Sequence, residues 1–188
     1  MELTHVAVGD GDCTVRLDGP STRHAVLLLP GAGDAPDVYD DVCARLHNSD
    51  LRTIVPESIE GLDDSAVMGL LDELKVGWVN LVGSREGAEL AWTLAARQFG
   101  RFASLVVADR GHPAAPDDKG VVREAGCPPV ELPTTVMVGS PTRRAEADAS
   151  GRFVYSDFRV VELDGVTNVP ASAAAALATE IVLRTSPW

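Results

Sequence analysis

An arginine occupies the position in a strand–turn–helix segment where a nucleophilic serine would be expected. Residues 79–90 read VNLVGSREGAEL, an apolar run followed by a glycine turn and a helical pattern. This is the layout of the elbow G-x-S-x-G, which presents a serine hydroxyl at the end of a strand. Here the five residues are G-S-R-E-G, with Arg85 at the centre. Because a guanidinium stays protonated, it cannot attack a carbonyl group. The segment therefore predicts the frame of a catalytic elbow without its nucleophile.

Three neighbouring residues could carry relocated catalysis. Ser84 is the only hydroxyl in the turn, and a shift of the turn by one residue would make it the nucleophile. Asp109 and His112 follow the next predicted strand, so a Ser84–His112–Asp109 arrangement is one hypothesis. The other interpretation is that Ser84 supports the turn and that His112 is a solvated loop histidine. This second interpretation is favoured because Asp109 and His112 are close in sequence, and a short turn rarely lets one residue orient the other toward a third group.

Strand and helix patterns alternate along the chain. Apolar runs indicate buried strands, and apolar residues three and four apart indicate helices. The predicted strands are 6–8, 13–17, 24–29, 52–55, 78–82, 105–108, 134–138 and part of 153–161. The predicted helices are one around residues 38–46, then 65–75, 86–99 and 171–184. Alternation of this kind predicts a doubly wound, mainly parallel α/β sheet in one domain, residues 1–188. Ligands of such sheets bind beyond the carboxyl ends of the strands.

Other residues receive structural interpretations. Asp34 or Asp37 is expected to cap the helix after the third strand. Trp78 is expected to pack at the bottom of the sheet. Residues 109–133 form a long stretch with five prolines, which favours a lid, a binding loop or disorder over helix.

Three segments together resemble the α/β-hydrolase superfamily. They are HAVLLLPGAG at residues 24–33, the elbow at residues 83–87, and VELDGVTNVP at residues 161–170. The first is similar to the strand and oxyanion loop of the family, in a form seen in thioesterases and acyl hydrolases. The third is similar to the last strand, the loop of the catalytic histidine and the closing helix. The resemblance covers the chain from about residue 12 onward and implies a compact hydrolase-type sheet without a cap domain.

The resemblance also assigns the catalytic positions residue by residue. Arg85 stands at the nucleophile position, Thr142 at the acid position and Asn168 at the histidine position. None of these side chains can perform its usual step, because arginine does not attack, asparagine does not titrate and threonine carries no charge. The backbone N–H groups of Ala32 and Glu86 match the two oxyanion donors.

Four hypotheses follow for the altered site. In the first, these backbone donors, a helix N-terminus and the Arg85 fork bind a small anionic or acyl molecule. A protein partner is the alternative to that small molecule. In the second, Arg85 has no binding role and only fills an obsolete pocket, paired with Asp109 or Glu57. In the third, a lyase or cyclase uses Arg85 as an electrophile. The fourth is the relocated esterase or thioesterase with Ser84, His112 and Asp109.

Composition limits the partners. The net charge of −12 argues against nucleic acid and anionic membranes, which require basic patches. The start of the chain resembles no signal peptide, and the three scattered cysteines suggest free thiols in the cytoplasm. No spacing predicts a metal site, and no glycine-rich dinucleotide or phosphate-loop motif predicts a cofactor.

Overall fold

The computed structural model describes residues 1–185, which form one eight-stranded sheet with flanking helices. The strands are β1 (Glu2–Val8), β2 (Gly11–Asp18), β3 (Ala25–Leu29), β4 (Arg52–Pro56), β5 (Val79–Ser84), β6 (Phe102–Ala108), β7 (Thr134–Val138) and β8 (Phe158–Glu162). The α-helices are α1 (Asp40–His47), α2 (Asp64–Glu73), α3 (Glu86–Arg97), α4 (Arg144–Ser150), α5 (Val169–Ser172) and α6 (Ala174–Thr185). Two short 3₁₀ turns, Pro141–Arg143 and Gly151–Phe153, flank α4.

The strand order across the sheet is β1-β2-β4-β3-β5-β6-β7-β8. The pairs β1/β2 and β2/β4 are antiparallel, and all pairs from β4 to β8 are parallel. The carboxyl ends of β3, β5, β6 and β7 therefore meet at one edge of the sheet, and their amino ends meet at the opposite edge. This topology confirms the predicted mainly parallel α/β sheet.

The sheet is buried on both faces. All five residues of β3 are buried, and successive side chains point to opposite faces. Leu27 and Leu29 belong to the core cluster that includes side chains of α2 and α3. Val26 and Leu28 belong to the cluster that includes side chains of α1 and α6. Each fully buried leucine or valine stabilises the fold by about 1.5–3 kcal/mol, which fixes the strand ends at which the site is built.

Three local expectations were wrong, and one helix was not predicted. The last helix is divided at Ala173 into α5 and α6. Helix α4 was not predicted, because it buries only Glu146, Ala147 and Ser150 and has no apolar period. Helix α1 has no side-chain cap, so neither Asp34 nor Asp37 caps it. Trp78 is 63% exposed and does not pack beneath the sheet.

Residues 109–133 connect β6 to β7 without forming a helix or strand. Val130 makes an isolated bridge to Val154, and Ala115 and Cys127 are buried. The connection packs against the sheet, and no cap domain is inserted within residues 1–185. All three cysteines are free and buried, as expected.

No helix in residues 1–185 is both long and apolar enough to cross a membrane. In the same residues, no group of three or more His, Cys, Asp or Glu side chains is arranged to hold a metal ion.

Candidate functional site

The elbow at residues 83–87 has a tight turn with Arg85 at its centre. Arg85 is the single residue between β5 and α3, with φ 51° and ψ −114°. This conformation is strained for a residue with a Cβ atom. A Cβ on Gly83 would lie 2.3 Å from the Gly87 carbonyl oxygen, and one on Gly87 would lie 2.2 Å from the Leu29 oxygen. The two glycines therefore permit the close approach of α3 to β3 and β5 that holds the turn.

The Arg85 guanidinium is bound by Asp34, in the loop that follows β3. Nη2 of Arg85 lies 2.5 Å from Oδ1 of Asp34 and donates to the Ala32 carbonyl oxygen at 3.3 Å. The second oxygen of Asp34 accepts the Gly31 N–H at 2.8 Å. The Asp34 side chain is 5% exposed and that of Arg85 is 31% exposed. A carboxylate with both oxygens engaged and so little exposure neutralises the arginine.

The expected partners of Arg85 were wrong. Asp109 and Glu57 were predicted to pair with it, and the partner is Asp34. The reason lies in strand order: Asp34 follows β3, which is adjacent to β5, whereas Glu57 follows β4, one strand further away. The Asp109 carboxylate is hydrogen-bonded elsewhere, to the Gly139 N–H.

Asn168, which the resemblance assigned to the histidine position, belongs to the same group of side chains. Its Nδ2 donates to Oδ1 of Asp34 at 3.1 Å, and its Oδ1 caps α5 by accepting the Ala171 N–H at 3.2 Å. Arg85, Asp34 and Asn168 thus form one hydrogen-bonded set, called the elbow network below. Arg85 and Asn168 are therefore connected through the carboxylate of Asp34, which the sequence analysis assigned to a helix cap.

The Ala32 N–H, which was predicted to be one of two oxyanion donors, already has a hydrogen-bond partner. The Ala32 N–H donates to Oε2 of Glu86 at 2.8 Å. Burial raises the pKa of the Glu86 carboxyl, but hydrogen bonds from the backbone of Ala32 and of Glu86 itself outweigh this and lower the pKa. Glu86 was predicted to contribute only its backbone N–H. Its side chain instead places a carboxylate where an oxyanion or an anionic ligand would bind.

A cavity of about 600 Å³ opens beside the elbow. It is lined by Arg85, Asp109, Arg110, Asp118, Gly139, Ser140, Pro141, Thr142, Arg143, Gly165, Val166 and Thr167. This space is called the elbow cavity. Thr142, which the resemblance assigned to the acid position, is exposed, and its hydroxyl lies 2.8 Å from that of Ser140. The elbow cavity lies at the carboxyl ends of β5, β6 and β7, where ligands of this class of sheet bind.

Each arginine of the elbow cavity has an acidic partner. Nε of Arg110 lies 2.9 Å from Oε1 of Glu89, and Nη1 of Arg143 lies 3.2 Å from Oε2 of Glu146. A guanidinium has five N–H donors, so each keeps donors beyond its ion pair. The elbow cavity therefore offers hydrogen-bond donors to an acceptor oxygen without a large excess of positive charge.

Only one of the two carboxylate oxygens of Asp109 accepts a hydrogen bond among the described residues. Its Oδ1 accepts the Gly139 N–H at 3.0 Å, whereas Oδ2 is shielded from solvent and has no hydrogen-bond partner among the described residues. Burial raises the pKa of this carboxyl, and the weaker opposing effects come from Gly139 and three arginines. Its φ of 62° lies in the left-handed region. A buried carboxylate at this position disfavours a highly charged anion next to it.

The structure does not assemble the relocated triad. His112 is fully buried, not solvated, and its ring lies between Trp92 and Phe153, with centroid distances of 5.3 and 4.7 Å. The Ala114 N–H donates to its Nδ1 at 3.1 Å, which leaves the proton on Nε2 to donate to the Pro128 oxygen at 2.9 Å. Burial lowers the pKa of this histidine. Both ring nitrogens are therefore bound by the backbone.

The surroundings of Ser84 do not support a catalytic role either. It is the last residue of β5, 1% exposed, and its hydroxyl has no hydrogen-bond partner in the described part of the chain. A nucleophilic serine requires a base within hydrogen-bond reach. The hypothesis of a Ser84–His112–Asp109 triad was wrong, because His112 turns both nitrogens away from the other two residues.

The fold matches solved structures closely. No protein-family model and no curated protein sequence matches the chain. An epoxide hydrolase from Vigna radiata superposes with a TM-score of 0.79 at 15% identity, covering 96% of each chain. Epoxide hydrolase A from Mycobacterium thermoresistibile gives 0.80 at 12% identity, covering 97% of this chain and 98% of that one. A haloalkane dehalogenase from Bradyrhizobium elkani gives 0.77 at 15% identity, covering 96% of each. The chain therefore has the α/β-hydrolase fold.

Proposed function

We propose that this chain is a non-hydrolytic protein of the α/β-hydrolase fold that binds a small acyl or singly charged carboxylate compound in the elbow cavity. The observation that carries the proposal is the elbow network. Arg85 and Asn168 occupy the nucleophile and histidine positions, and Asp34 binds both of them. A site of this composition holds no nucleophile next to a base, so it supports binding rather than acyl transfer.

The hydrogen-bond donors of the elbow cavity support an acceptor oxygen as the ligand's anchor. Nη1 of Arg143 donates to the Asp109 backbone oxygen and to Oε2 of Glu146, and the Arg143 side chain is 28% exposed. The hydroxyls of Ser140 and Thr142 lie beside it. A carbonyl or carboxylate oxygen can accept from these groups without displacing an existing ion pair.

Charge balance sets the preferred class of ligand. Because Arg85, Arg110 and Arg143 already have acidic partners and Asp109 is buried nearby, a dianion gains little attraction here. An anion at the Ala32 N–H would also have to displace the Glu86 carboxylate. These features favour a neutral acyl group or one carboxylate over a phosphate. They do not favour the lyase or cyclase hypothesis, since an arginine neutralised by Asp34 is a weak electrophile.

The volume of the elbow cavity is compatible with a small molecule. Interaction modules derived from an enzyme fold are expected to have a collapsed pocket and a large exposed apolar patch. The elbow cavity of about 600 Å³ is within the range of small-molecule sites.

The test compares butyramide, butyrate and butyl phosphate by NMR titration of the ¹⁵N-labelled chain. We expect the first two to shift backbone resonances of residues 139–143 and 165–167, and butyl phosphate to bind no more tightly. Arg143→Gln should weaken binding, whereas Arg144→Gln is the matched control. Arg144 is the neighbouring arginine, paired with Asp148 and Glu162 and outside the lining of the cavity.

A second arm addresses hydrolysis. Fluorophosphonate labelling with mass-spectrometric mapping should leave Ser84 unmodified under conditions that label an authentic serine hydrolase. A label on Ser84 that is lost in Ser84→Ala would refute the non-hydrolytic proposal. Absence of any shift at residues 139–143 with all three compounds would refute the ligand class.

A further inference from the structure

A second cavity, of about 620 Å³, lies at the opposite edge of the sheet. It is formed by the amino ends of β3, β4, β5 and β6, the turn after α2 and the end of α6. Its lining residues are Thr22, Arg23, His24, Ala25, Arg52, Lys75, Val76, Gly77, Trp78, Val79, Asn80, Ala103, Arg184 and Thr185. We call it the basal cavity. None of the hypotheses about the elbow involves it.

The basal cavity concentrates unpaired positive charge in a strongly acidic chain. The protein has 28 acidic and 16 basic residues, yet no acidic residue lines this cavity. Most of the basic side chains form ion pairs with a carboxylate. Arg23, Arg52 and Lys75 have no such partner within residues 1–185, and all three line the basal cavity. Arg184 is bound by Asp157, Thr134 and Thr135 and supports one wall.

Lys75 is held in an unfavourable backbone conformation at this site. Its φ is 55°, and it follows the last turn of α2, where its N–H donates to the Asp72 oxygen at 3.0 Å. Glycine is the usual residue at such a helix end, because a Cβ is strained there. The chain instead has a lysine at this position, and Lys75 lines the basal cavity.

Trp78 adds a flat apolar surface. It is 63% exposed at the start of β5, and it lies in the same cavity lining as the three unpaired cations. An exposed indole next to guanidinium and ammonium groups is suited to a ligand with both a planar ring and an anionic group. The ring stacks on the indole, and the anion accepts charge-assisted hydrogen bonds.

We propose that the basal cavity binds a small phosphorylated compound with a planar ring, of the nucleoside phosphate class. Arg23, Arg52 and Lys75 bind the phosphate oxygens, and Trp78 stacks on the ring. The volume of about 620 Å³ is within the range of ordinary small-molecule sites. The net charge of the chain does not prevent this, since charges beyond the Debye length of about 8 Å are largely screened at physiological salt.

The test is isothermal titration of the full chain with AMP, adenosine and inorganic phosphate. AMP is expected to bind, with adenosine and phosphate each at least about tenfold weaker, because each supplies only one of the two contacts. Arg52→Gln and Arg23→Gln should each weaken AMP binding by about tenfold, the loss of one charge-assisted hydrogen bond. Trp78→Ala should weaken AMP binding and leave phosphate binding unchanged.

Two controls keep the test specific. Arg45→Gln removes an exposed arginine on α1 that has no ion pair in the described chain and lies outside the basal cavity, so it should leave AMP binding unchanged. Circular dichroism and thermal melting establish that each variant is folded. No AMP binding by the wild-type chain, equal affinity for AMP and phosphate, or equal losses with Arg45→Gln and Arg52→Gln would each overturn the proposal.

Discussion

The elbow cavity and the basal cavity lie at opposite ends of the same parallel strands and differ in how their cations are paired. Their volumes are similar, about 600 and 620 Å³. At the elbow, Arg85, Arg110 and Arg143 each have an acidic partner. At the basal edge, Arg23 and the other two unpaired cations have none among the described residues.

This difference shows what each group of cations can contribute. A paired arginine holds two chain segments together and offers only its remaining N–H donors to a ligand. An unpaired cation in a cavity offers its full charge. At the edge where α/β sheets usually bind ligands, the arginines of the cavity are therefore neutralised by acidic partners. At the opposite edge, three cations of the basal cavity have no such partner among the described residues.

The largest loss of stability is expected from a substitution that disrupts the tight turn of the elbow. In Gly87→Ala the new Cβ would lie 2.2 Å from the Leu29 carbonyl oxygen, a backbone atom that cannot move away cheaply. We expect a loss of about 3 kcal/mol or more in the free energy of unfolding, measured by urea denaturation. Gly126→Ala is the control, because a Cβ there has no atom within 4 Å. Equal stability of the two variants would show that the tight elbow is not required.

The next largest effect is expected from breaking the ion pair between Arg85 and Asp34. It tests whether the charge of Arg85 stabilises the fold or is free to bind a ligand. Asp34→Asn removes the partner of Arg85 and leaves a partly buried guanidinium without a countercharge, which should cost about 2 kcal/mol. Arg85→Gln should cost less, and the double variant less than the sum, since the two residues form one ion pair. Urea denaturation of all four proteins measures the coupling.

The exposed pair Arg144–Asp148 provides the comparison for that cycle. Its side chains are 43% and 55% exposed, and such pairs couple by well under 1 kcal/mol. If the coupling energy between Arg85 and Asp34 is no larger, this ion pair does not contribute more to stability than an exposed one. The contrast with the basal cavity would then lose its basis.

The smallest effect concerns the Glu86 carboxylate on the Ala32 N–H. Because the folded-state pKa of Glu86 is lowered, this carboxylate stabilises the fold above its unfolded pKa of about 4.5. That contribution is lost as pH falls through the folded pKa. Glu86→Gln should therefore reduce the free energy of unfolding at pH 7 and flatten its decrease below pH 4.5. The change should stay under about 1 kcal/mol, since the side chain is 40% exposed.

Glu131→Gln is the matched control for this titration. Glu131 is exposed and forms no ion pair in residues 1–185. Equal pH profiles for the two variants would mean that Glu86 does not occupy the oxyanion donor in solution.

The fold and the elbow followed from local signals. Apolar runs of five residues mark β3 and β7, and the pair Gly83 and Gly87 marks the turn, because close backbone approach excludes any Cβ there. The resemblance to the hydrolase fold placed Arg85, Thr142 and Asn168 at the catalytic positions, and this assignment stays a prediction. Helix α4 and the division at Ala173 were not visible, because neither has an apolar period that departs from its surroundings.

The amino-acid sequence by itself determined the parallel sheet, the elbow and the absence of a serine at its centre, since periodicity and glycine spacing act over a few residues. The tertiary structure alone decided which charges meet. Asp34 reaches Arg85 over 51 positions of sequence, and the Glu86 carboxylate reaches the Ala32 N–H over 54. The burial of His112 and the exposure of Trp78 were decided in the same way. Ion pairing and burial depend on which segments the sheet brings together, and local sequence carries no record of those distances.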